Sequence, residues 1–432
     1  MNKKSGFFIV IVILFAVIGL IGYFLRKNTG VIAPEISKQA INENNFNTEV
    51  PEGMPAGDGA DLANLLEKEV IVPEKYRQGV FSAKRAINLP ANFSISVFAA
   101  GMRSPRAMAF SDPSAIFVTD IGSGEVKLLR DRNNDGEADE IITVDRNLRR
   151  PHGIELYEND LYVAEEHQVV VYRDMTDEGN YDRKEIIIPN LPSGQGHSTR
   201  TVKIGPDQKI YLSIGSSCNL CEESDSLRAA VVRYNSDGSF DRTIGTGLRN
   251  SVGIVFRETG SGFELWGVDN GRDLIGDNIP PEEANLIYTQ NQEETKNFGW
   301  PYCYGDGVAN PEYPERSGYC ANETEFPRVN MQAHSAPLGI AFIPKNDIFP
   351  GNFQDNMLVT FHGSWNRSIP TGYKLVRIGD KDSREPTDFI TGWLDASGKV
   401  WGRPVDVKIA PDGTIFITDD QAGAVYLIRY GA

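Results

Sequence analysis

Short alternations of apolar and polar residues, separated by turn signals, run from about residue 78 to the end of the chain. In residues 198–215, for example, TVKI and KIYLSI alternate in this way on either side of Gly205-Pro206-Asp207. Alternation with a period of two predicts a strand with one buried face, and a cluster of Gly, Pro and Asp predicts a tight turn. Most of the chain is therefore predicted to consist of short strands joined by turns.

Six copies of one unit account for these strands. The units open with SPRAMAF, RPHGIEL, STRTVKI, NSVGIVF, APLGIAF and RPVDVKI, and each continues into a second strand such as AIFVTD or TIFITD. Six copies predict an all-β fold, a six-bladed β-propeller, in which the C-terminal AVYLIRY closes the ring against strands near residues 93–99. Longer intervals before the last two copies indicate insertions within about residues 272–330 and 360–401. Inserted segments that share a propeller face build its binding site.

Residues 7–25 form one uncharged apolar stretch with basic residues on both flanks. A helix of this length can span a bilayer, and no small-residue cleavage pattern closes the segment. We therefore predict a retained transmembrane signal anchor, with the rest of the chain in the periplasm or outside the cell. The predicted division is a cytosolic stub (1–6), the anchor (7–25), a linker (26–78) with one short helix at about 60–69, and the propeller (79–432).

A net charge of −16 argues against nucleic acid as a partner, because nothing offsets the repulsion from the phosphates. Four cysteines in an exported, oxidising setting favour disulfides. Cys303 and Cys320 lie in one insertion and are predicted to pair, as are Cys218 and Cys221, which form a CxxC motif. The alternative for this motif, a redox or zinc site, lacks a second CxxC and a histidine at metal spacing.

The residue that begins each inner strand of a propeller lies at one mouth of the central channel. In this chain those positions carry Arg103, Arg150, His197, Arg249 and Arg403. A ring of positive charge suits a ligand with several carboxylates or phosphates; the alternative is that the arginines pair with Asp and Glu of neighbouring blades. His197 stands in a glycine-flanked loop and can take a proton near neutral pH, although a lone loop histidine is more often a plain surface residue.

A second pattern lies between strands, in residues 131–139 (DRNNDGEAD). Asp131, Asn133, Asp135 and Asp139 have the carboxylate and amide spacing of a calcium-binding loop, with a glycine at the sharp turn. Weaker copies recur in two later blades. The alternative is a structural Asp-Gly turn, which the persistence of these degenerate copies favours.

Several motifs together resemble those of the PQQ-dependent sugar dehydrogenase family of the soluble glucose dehydrogenase type. GHSTRTVKIGPDQKIYLSIG resembles its catalytic-histidine segment, TGLRNSVGIVF the segment whose Arg-Asn pair contacts the quinone, and DNGRD followed by NFGWPYC its calcium-binding turn. The combination with HSAPLGIAF and GSWNR is most similar to the sorbosone and pyranose dehydrogenase branch. The resemblance covers about residues 92–429.

This resemblance implies a PQQ- and calcium-dependent oxidation of a sugar, polyol or sugar aldehyde, by hydride transfer to the quinone and with a separate electron acceptor, a quinone or a cytochrome. It implies that His197 is the general base. The cofactor would be held by Arg249, Asn250, Arg367 and Arg403, and calcium by the backbone carbonyls of Gly271 and Arg272.

The chain departs from the family pattern at four places. Arg272 replaces a proline at the calcium turn, Val252 and Gly196 replace polar or acidic residues, and Val405 stands where the glucose enzymes have a second arginine. The change from proline to Arg272 leaves the main-chain carbonyl in place as a calcium ligand. Together these departures put glucose as the substrate in doubt more than PQQ as the cofactor.

Two other functions stay open: a calcium-dependent lactonase-type hydrolase on the same fold, and a non-catalytic binding propeller. The hydrolase needs Asp, Glu and Asn side chains that converge on the channel, whereas the motifs here supply backbone groups and arginines. Functional and structural roles also stay open for His152 and His334 at the starts of inner strands, His362 at the rim, and Trp300 and Trp365, which either stack on a ligand or fill gaps between blades.

Overall fold

A computed structural model describes residues 64–110, 112–346, 348–379 and 385–431. Within them, six sheets of four or five strands form the blades of a propeller, so the predicted all-β, six-bladed fold is confirmed. The anchor predicted at residues 7–25 lies outside the described residues. Among those that are described, no helix is both long enough and apolar enough to cross a membrane.

The first two blades are regular four-stranded antiparallel sheets that follow three preceding strands. The preceding strands are β1 (Leu65–Glu69), β2 (Ala86–Pro90) and β3 (Phe93–Ala100). Blade 1 contains β4 (Pro105–Ala109), β5 (Ala115–Asp120), β6 (Glu125–Arg130) and β7 (Glu140–Asp145). Blade 2 contains β8 (Ile154–Tyr157), β9 (Asp160–Glu165), β10 (Gln168–Arg173) and β11 (Arg183–Ile188).

Blades 3 and 4 carry the first insertion. Blade 3 contains β12 (Arg200–Ile204), β13 (Ile210–Ile214), β14 (Ala230–Tyr234) and β15 (Phe240–Thr246). Blade 4 contains β16 (Ser251–Thr259), β17 (Gly262–Asp269) and β18 (Glu282–Thr289). The insertion then supplies β19 (Lys296–Asn297), which joins blade 3, a hairpin of β20 (Cys303–Tyr304) and β21 (Val308–Ala309), a helix α1 (Ser317–Asn322), and β22 (Val329–Met331), which completes blade 4.

Blade 5 contains β23 (Pro337–Phe342), β24 (Met357–Phe361), β25 (Lys374–Ile378) and β26 (Thr387–Ile390). Blade 6 contains β27 (Pro404–Ile409), β28 (Ile415–Asp419) and β29 (Ala424–Tyr430), with β3 as its fourth strand. Single 3₁₀ turns lie at Glu74–Tyr76, Gly79–Ser82 and Pro314–Arg316.

The short helix predicted at residues 60–69 is wrong in its described part, because Leu65–Glu69 is strand β1. It pairs along its whole length with β2, from Leu65 opposite Pro90 to Glu69 opposite Ala86. The next residue, Val70, is buried in the core cluster that contains blade 6. Local helix propensity is a weak preference, and an available strand edge with a buried flanking residue outweighs it.

In blade 1, burial falls from the middle of the sheet to its outer edge. In blade 1, every residue of β5 is buried, whereas β7 is partly or fully exposed. The middle strand is covered on both faces because neighbouring blades pack against it. Such a strand reads as a nearly continuous apolar run, as in AIFVT.

The ring closes between the two ends of the propeller, as predicted. β29 pairs antiparallel with β3, from Tyr430 opposite Phe93 to Ala424 opposite Ala100. Phe93 is fully buried and packs edge-on against Phe353 and Phe389 at ring-centre distances of 5.7 and 5.1 Å. The closing strand is therefore also packed against residues of blade 5.

Carboxylates at the ends of second strands hold the starts of inner strands. Asp120, the last residue of β5, accepts the main-chain N–H groups of Arg103 (2.9 Å) and Ser104 (2.8 Å). Asp269, the last residue of β17, accepts that of Asn250 (2.9 Å). These hydrogen bonds satisfy buried donors at the channel mouth and fix where each inner strand begins.

Both predicted disulfides are confirmed. Cys303 pairs with Cys320 across the insertion, and Cys218 pairs with Cys221 in the loop after β13. All four cysteines are thereby used. The CxxC sulfurs are bonded to each other, so they are not available as zinc ligands.

Phe93→Ala tests the closing contact. Removing this fully buried ring should lower the free energy of unfolding by about 3–5 kcal/mol, because the cavity lies between two blades. Chemical denaturation followed by tryptophan fluorescence measures the change. Phe240→Ala is the matched control: that ring is 53% exposed, and its loss should cost within about 0.5 kcal/mol. Equal losses in the two variants would contradict the special role of Phe93.

Candidate functional site

The six inner strands enclose a narrow channel along the propeller axis, with lining residues from all six blades, among them Ala107, Thr201, Val252, Leu338 and Val405. His152 also lines it, and neither of its ring nitrogens has a hydrogen-bond partner in the described part of the chain. Burial, and then the charge of Arg106, lowers the pKa of His152 to about 3. This histidine is therefore a neutral group inside the channel.

Chain topology gathers the predicted residues at one face of the propeller. Each inner strand begins at this face, and the antiparallel second strand ends there. His197, Asn250 and Arg403 precede β12, β16 and β27, whereas Gly271 follows β17. Residues far apart in the sequence therefore lie around one mouth of the channel.

His197 is oriented by Ser216 and Arg200. Its main-chain N–H donates to the Ser216 carbonyl (3.0 Å), and Arg200 Nη1 donates to its carbonyl (2.9 Å). Its ring Nδ1 lies 3.1 Å from the Ser216 carbonyl oxygen and 3.0 Å from the Ser216 hydroxyl. A carbonyl oxygen only accepts, so Nδ1 carries the proton and Nε2 keeps a lone pair. No described residue bonds to Nε2.

The surroundings of His197 keep its ring neutral. Burial lowers the pKa of His197 to about 3, and the positive charge of Arg249 adds to the effect. Arg200, which is fully buried, and Arg228 act in the same direction. A histidine with such a low pKa is unprotonated at neutral pH, which is the state that a general base requires.

Two glycines let the chain close around this histidine. Gly196 has a φ of 62°, and a Cβ there would lie 2.3 Å from the carbonyl carbon of Ser217. A Cβ at Gly215 would lie 2.4 Å from Asn250 Oδ1 and 2.7 Å from His197 Cβ. The departure from the family pattern at Gly196 therefore has a steric reason, and the bare Gly215 brings His197 and Asn250 together.

Arg249 is buried, and its guanidinium makes five hydrogen bonds within the protein. Nε and Nη2 donate to the carbonyl (3.1 Å) and side-chain oxygen (2.9 Å) of Asn219, and Nη2 also to Asp273 (3.1 Å). Nη1 donates to the carbonyls of Asn270 (3.2 Å) and Gly271 (2.8 Å). Arg249 therefore offers positive charge to the site, while its N–H groups are already paired. Its predicted contact with a cofactor stays a prediction.

The turn predicted to bind calcium has buried carboxylates beside it. Glu282 accepts the Gly271 N–H (2.6 Å), and burial raises the pKa of Glu282 to about 8. Burial also raises the pKa of Asp269, at the end of β17, to about 6. Oxygen atoms thus gather at this turn, but the Gly271 carbonyl is shared with Arg249. Metal binding by the carbonyls of Gly271 and Arg272 stays a prediction.

Asp420, which follows β28, accepts hydrogen bonds from three cationic or polar side chains. Arg403 Nε donates at 2.7 Å, Arg106 Nη1 at 2.8 Å and His362 Nε2 at 3.1 Å. Burial by itself would raise the pKa of Asp420, but His362 and the two arginines lower it overall, so the carboxylate is ionised. The Arg403 side chain is 39% exposed, and its Nη1 and Nη2 have no partner in the described chain. Arg403 can therefore meet a ligand.

Arg367 joins the two loops that carry the insertions. Its Nη1 donates to the carbonyls of Asp277 (2.7 Å) and Ala333 (3.3 Å), and its Nη2 to Asn278 (3.2 Å). Trp365, in the same loop, is 74% exposed and available to a ligand. The predicted cofactor contact of Arg367 stays a prediction, since these bonds are those of a loop-to-loop support.

The two alternatives stated for the ring of arginines apply to different members. Arg249 and Arg403 pair with the acidic side chains of Asp273 and Asp420, which is the structural alternative. Arg103 and Arg150 are exposed at the mouth, and Arg150 Nη1 donates to the Ser198 hydroxyl (2.9 Å). Positive charge therefore does collect at this face, but much of it is neutralised locally.

The loop of residues 131–139 lies outside this constellation. Asp131 accepts the main-chain N–H groups of Asp135 (3.2 Å) and Gly136 (2.9 Å), and Asp139 accepts that of Arg132 (2.7 Å). Asn133 also accepts from the Asp135 N–H (3.0 Å). These contacts are those of a structural turn; calcium in this loop stays a prediction.

A sequence model described as TrAA12-like matches residues 87–431, which is nearly the whole propeller. The chain belongs to the TrAA12-like family. An uncharacterized protein of Borreliella burgdorferi is 31% identical over 365 residues, with 80% of this chain and 91% of that protein covered. A protein of Coprinopsis cinerea named pyrroloquinoline quinone-dependent pyranose dehydrogenase is 23% identical over 409 residues, with 79% of this chain and 54% of that protein covered.

The TrAA12-like fold is also seen in solved structures. The holo form of the pyranose dehydrogenase PQQ domain from Coprinopsis cinerea has a TM-score of 0.69 with 21% identity, over 79% of this chain and 97% of that one. At this identity the likeness shows the fold. The family resemblance drawn from the motifs is confirmed, and the match to the full-length pyranose dehydrogenase spans about half of that protein.

Four residues of this TrAA12-like site were not predicted from the sequence: Ser216, Asn219, Asp273 and Asp420. Ser216 and Asn219 lie in GSSCNLC, directly after a predicted strand. Ser216 stands two residues before the first cysteine of the CxxC motif, and Asn219 stands between the two cysteines. Asp420 follows the strand end ITD, which repeats the VTD of blade 1. These local signals mark strand ends, but they do not show which distant side chain each residue meets.

The neutral ring of His197 is testable without any ligand. We expect its NMR signal, in protein with carbon-13-labelled histidine, to stay that of a neutral ring as the pH falls from about 8 to 5, because its pKa lies near 3. The signal is assigned by its loss in His197→Ala. A titration midpoint near the ordinary histidine value would contradict the burial and charge described for this side chain.

Proposed function

We propose that this chain is a PQQ-dependent sugar dehydrogenase, which removes a hydride and a proton from a sugar, polyol or sugar aldehyde. The observation that carries the proposal is the tautomer of His197. Its Nδ1 is held by Ser216, so Nε2 is an unprotonated base at the channel mouth, beside Asn250. The name of the Coprinopsis cinerea relative supports the same class of reaction.

His197 would act on the proton. Nε2 takes the hydroxyl proton of the substrate while Nδ1–H keeps its hydrogen bond to the Ser216 carbonyl, which stabilises the imidazolium that forms. Arg200 holds the His197 main chain in place meanwhile. The nearby charge of Arg249 opposes protonation, so the ring readily gives the proton up again.

The residues at the mouth fit a planar cofactor with several carboxylates. PQQ, when bound, supplies a quinone that accepts the hydride. Arg403 has the most direct fit, because Nη1 and Nη2 are without partners among the described residues and can make charge-assisted bonds to a carboxylate. Arg249 contributes a buried charge, and a direct bond from it would replace one of its present bonds to the protein. Arg367 Nη2 has a second N–H beyond its bond to Asn278.

Calcium is a finer part of the proposal. The carbonyl of Gly271 and the carboxylates of Asp269 and Glu282 supply the hard oxygen atoms that calcium prefers. A metal ion here would also compensate two acids that burial otherwise makes costly to ionise. The Gly271 oxygen also accepts Arg249 Nη1, and its second lone pair would serve the metal ion.

The hydrolase alternative is disfavoured by the ligand set. Among the described residues, the one group of three or more acidic, histidine and cysteine side chains close enough to hold a metal is Cys218, Cys221 and Glu223. Its two cysteines form a disulfide, and none of the three side chains lines the channel. A lactonase-type site needs converging carboxylates, which this arrangement does not offer.

The cellular setting is also part of the proposal. Two formed disulfides fit an oxidising compartment, and we propose a periplasmic or extracellular propeller tethered to the membrane by residues 7–25. Such an enzyme passes its electrons to a separate acceptor, a quinone or a cytochrome.

Reconstitution tests the proposed function. We expect the purified full-length chain to bind PQQ in the presence of calcium, seen in the quinone absorbance, and to reduce a dye with at least one member of a panel of sugars and polyols. In Arg403→Ala, PQQ should bind about tenfold or more weakly, because one charge-assisted bond is lost while Asp420 keeps its other partners. Absence of quinone binding, or turnover of lactones instead of sugars, would overturn the proposal.

His197→Ala tests the base. Turnover should fall at least about a hundredfold, the usual minimum for a general base, while PQQ still binds. Because the pKa of His197 lies near 3, the wild-type rate should not lose this base until the pH is well below the ordinary histidine range. His167→Ala, in the turn between β9 and β10, is the matched control and should keep its activity. Full activity in His197→Ala would remove this residue from the mechanism.

A further inference from the structure

The disulfide-closed loop after β13 contacts both sides of the site. This loop, residues 216–221, contains Ser216 and Asn219 and is closed by the Cys218–Cys221 bond. Both cysteines are half-buried. The contacts of Asn219 lead to Arg249, and those of Ser216 lead to His197.

Towards Arg249, the contacts are made by Asn219. Its carbonyl accepts Arg249 Nε (3.1 Å), and its Oδ1 accepts Arg249 Nη2 (2.9 Å). The same Oδ1 accepts the Asp273 N–H (2.8 Å), and its Nδ2 donates to the Asp273 carbonyl (3.1 Å). Trp300 Nε1 also donates to the Asn219 carbonyl (3.4 Å). Asn219 therefore connects the guanidinium of Arg249 to the turn after β17.

Towards His197, the contacts run through Ser216. The Ser216 hydroxyl donates to the Cys218 carbonyl (2.7 Å), so its oxygen is left to accept from His197 Nδ1 (3.0 Å). The position of the Cys218 carbonyl thus helps to decide that Nδ1, and not Nε2, carries the proton. A loop that moved would free the Ser216 hydroxyl to donate to the ring instead.

The disulfide itself adds little to overall stability by chain entropy, because a cross-link stabilises least when it closes a short loop. Its effect is local. It fixes the main chain at Cys218 and limits where Asn219 can lie between the two sulfurs. The contacts that depend on these positions are those of Arg249 and His197, which argues for a role in the site rather than in global folding.

We propose that Asn219, held in place by the Cys218–Cys221 disulfide, is a positioning residue that sets the location of Arg249 and, through it, the positive charge beside His197. The inference rests on the proposed function for its effect on turnover. It needs no change in the oxidation state of the cysteines, and neither sulfur takes part in the reaction.

Asn219→Ala is the decisive variant. The substitution removes the Oδ1 that accepts from both Arg249 Nη2 and the Asp273 N–H, so the guanidinium is free to move away from His197. The His197 signal should then begin to titrate closer to the ordinary histidine range in NMR of the protein without PQQ. PQQ should bind about tenfold more weakly, and kcat should fall by about tenfold to a hundredfold, as for a misplaced group. The acid limb of the kcat/KM profile should move to higher pH.

Two further variants complete the comparison. Asn219→Asp keeps an oxygen for Arg249 and Asp273, and should recover most of the PQQ affinity. Asn235→Ala is the matched control, because Asn235 also bonds through its side chain in blade 3, to Lys209 and Ser239, but follows β14 at the opposite face. It should keep wild-type PQQ binding, turnover and His197 titration, and should lower the melting temperature no less than Asn219→Ala does.

The outcomes separate this inference from the proposed function. If wild-type protein neither binds PQQ nor oxidises a sugar, the proposed function fails, and the His197 titration in Asn219→Ala still decides the positioning role. Wild-type titration, affinity and turnover in Asn219→Ala would overturn the inference. If that variant does not fold, the double variant Cys218→Ser and Cys221→Ser carries the test. We expect the same changes in His197 titration, PQQ affinity and turnover, but smaller ones. Unchanged values in the double variant would contradict the inference.

Discussion

The pairing of β29 with β3 is the constraint on which the rest of the structure depends. It joins the two ends of the propeller, so that every blade is packed between two neighbours and the middle strands are covered on both faces. With the ring closed, six inner strands start at one face around one axis. The site is then assembled from loops that are far apart in sequence, since each starts or ends a strand at that face.

Electrostatics at this face follow from burial. The chain carries a net charge of −16, yet Arg249, Arg106 and Arg200 are buried near the channel mouth. Buried charges must be paired or hydrogen-bonded, and here carboxylates and main-chain carbonyls do this: Asp420 for Arg106, Asp273 for Arg249. Burial lowers the pKa of His197 most, and the charges of Arg249 and Arg200 add to the effect, so two of these buried arginines also help to keep the histidine neutral.

Several parts of this arrangement are readable in the sequence for physical reasons. Period-two alternation and repeated units indicate the blades, and cysteines within one insertion or one CxxC indicate the disulfides. The described part of the helix expected at residues 60–69 is wrong, because the five residues Leu65–Glu69 have no periodicity strong enough to outweigh pairing with β2. Asn219 and Asp420 were not identified, because a single polar residue at a strand end carries no sign of its distant partner.

By itself, the sequence determined the class of fold, the closing of the ring and the loop that presents His197, because strand periodicity, repeat number and glycine positions are local properties of the chain. Only the tertiary structure decided which nitrogen of His197 carries the proton, that the N–H groups of Arg249 are already paired, and that Arg403 shares Asp420 with two other side chains. Those facts depend on hydrogen bonds between different strands and blades, whose distances are set by the packing of the whole ring.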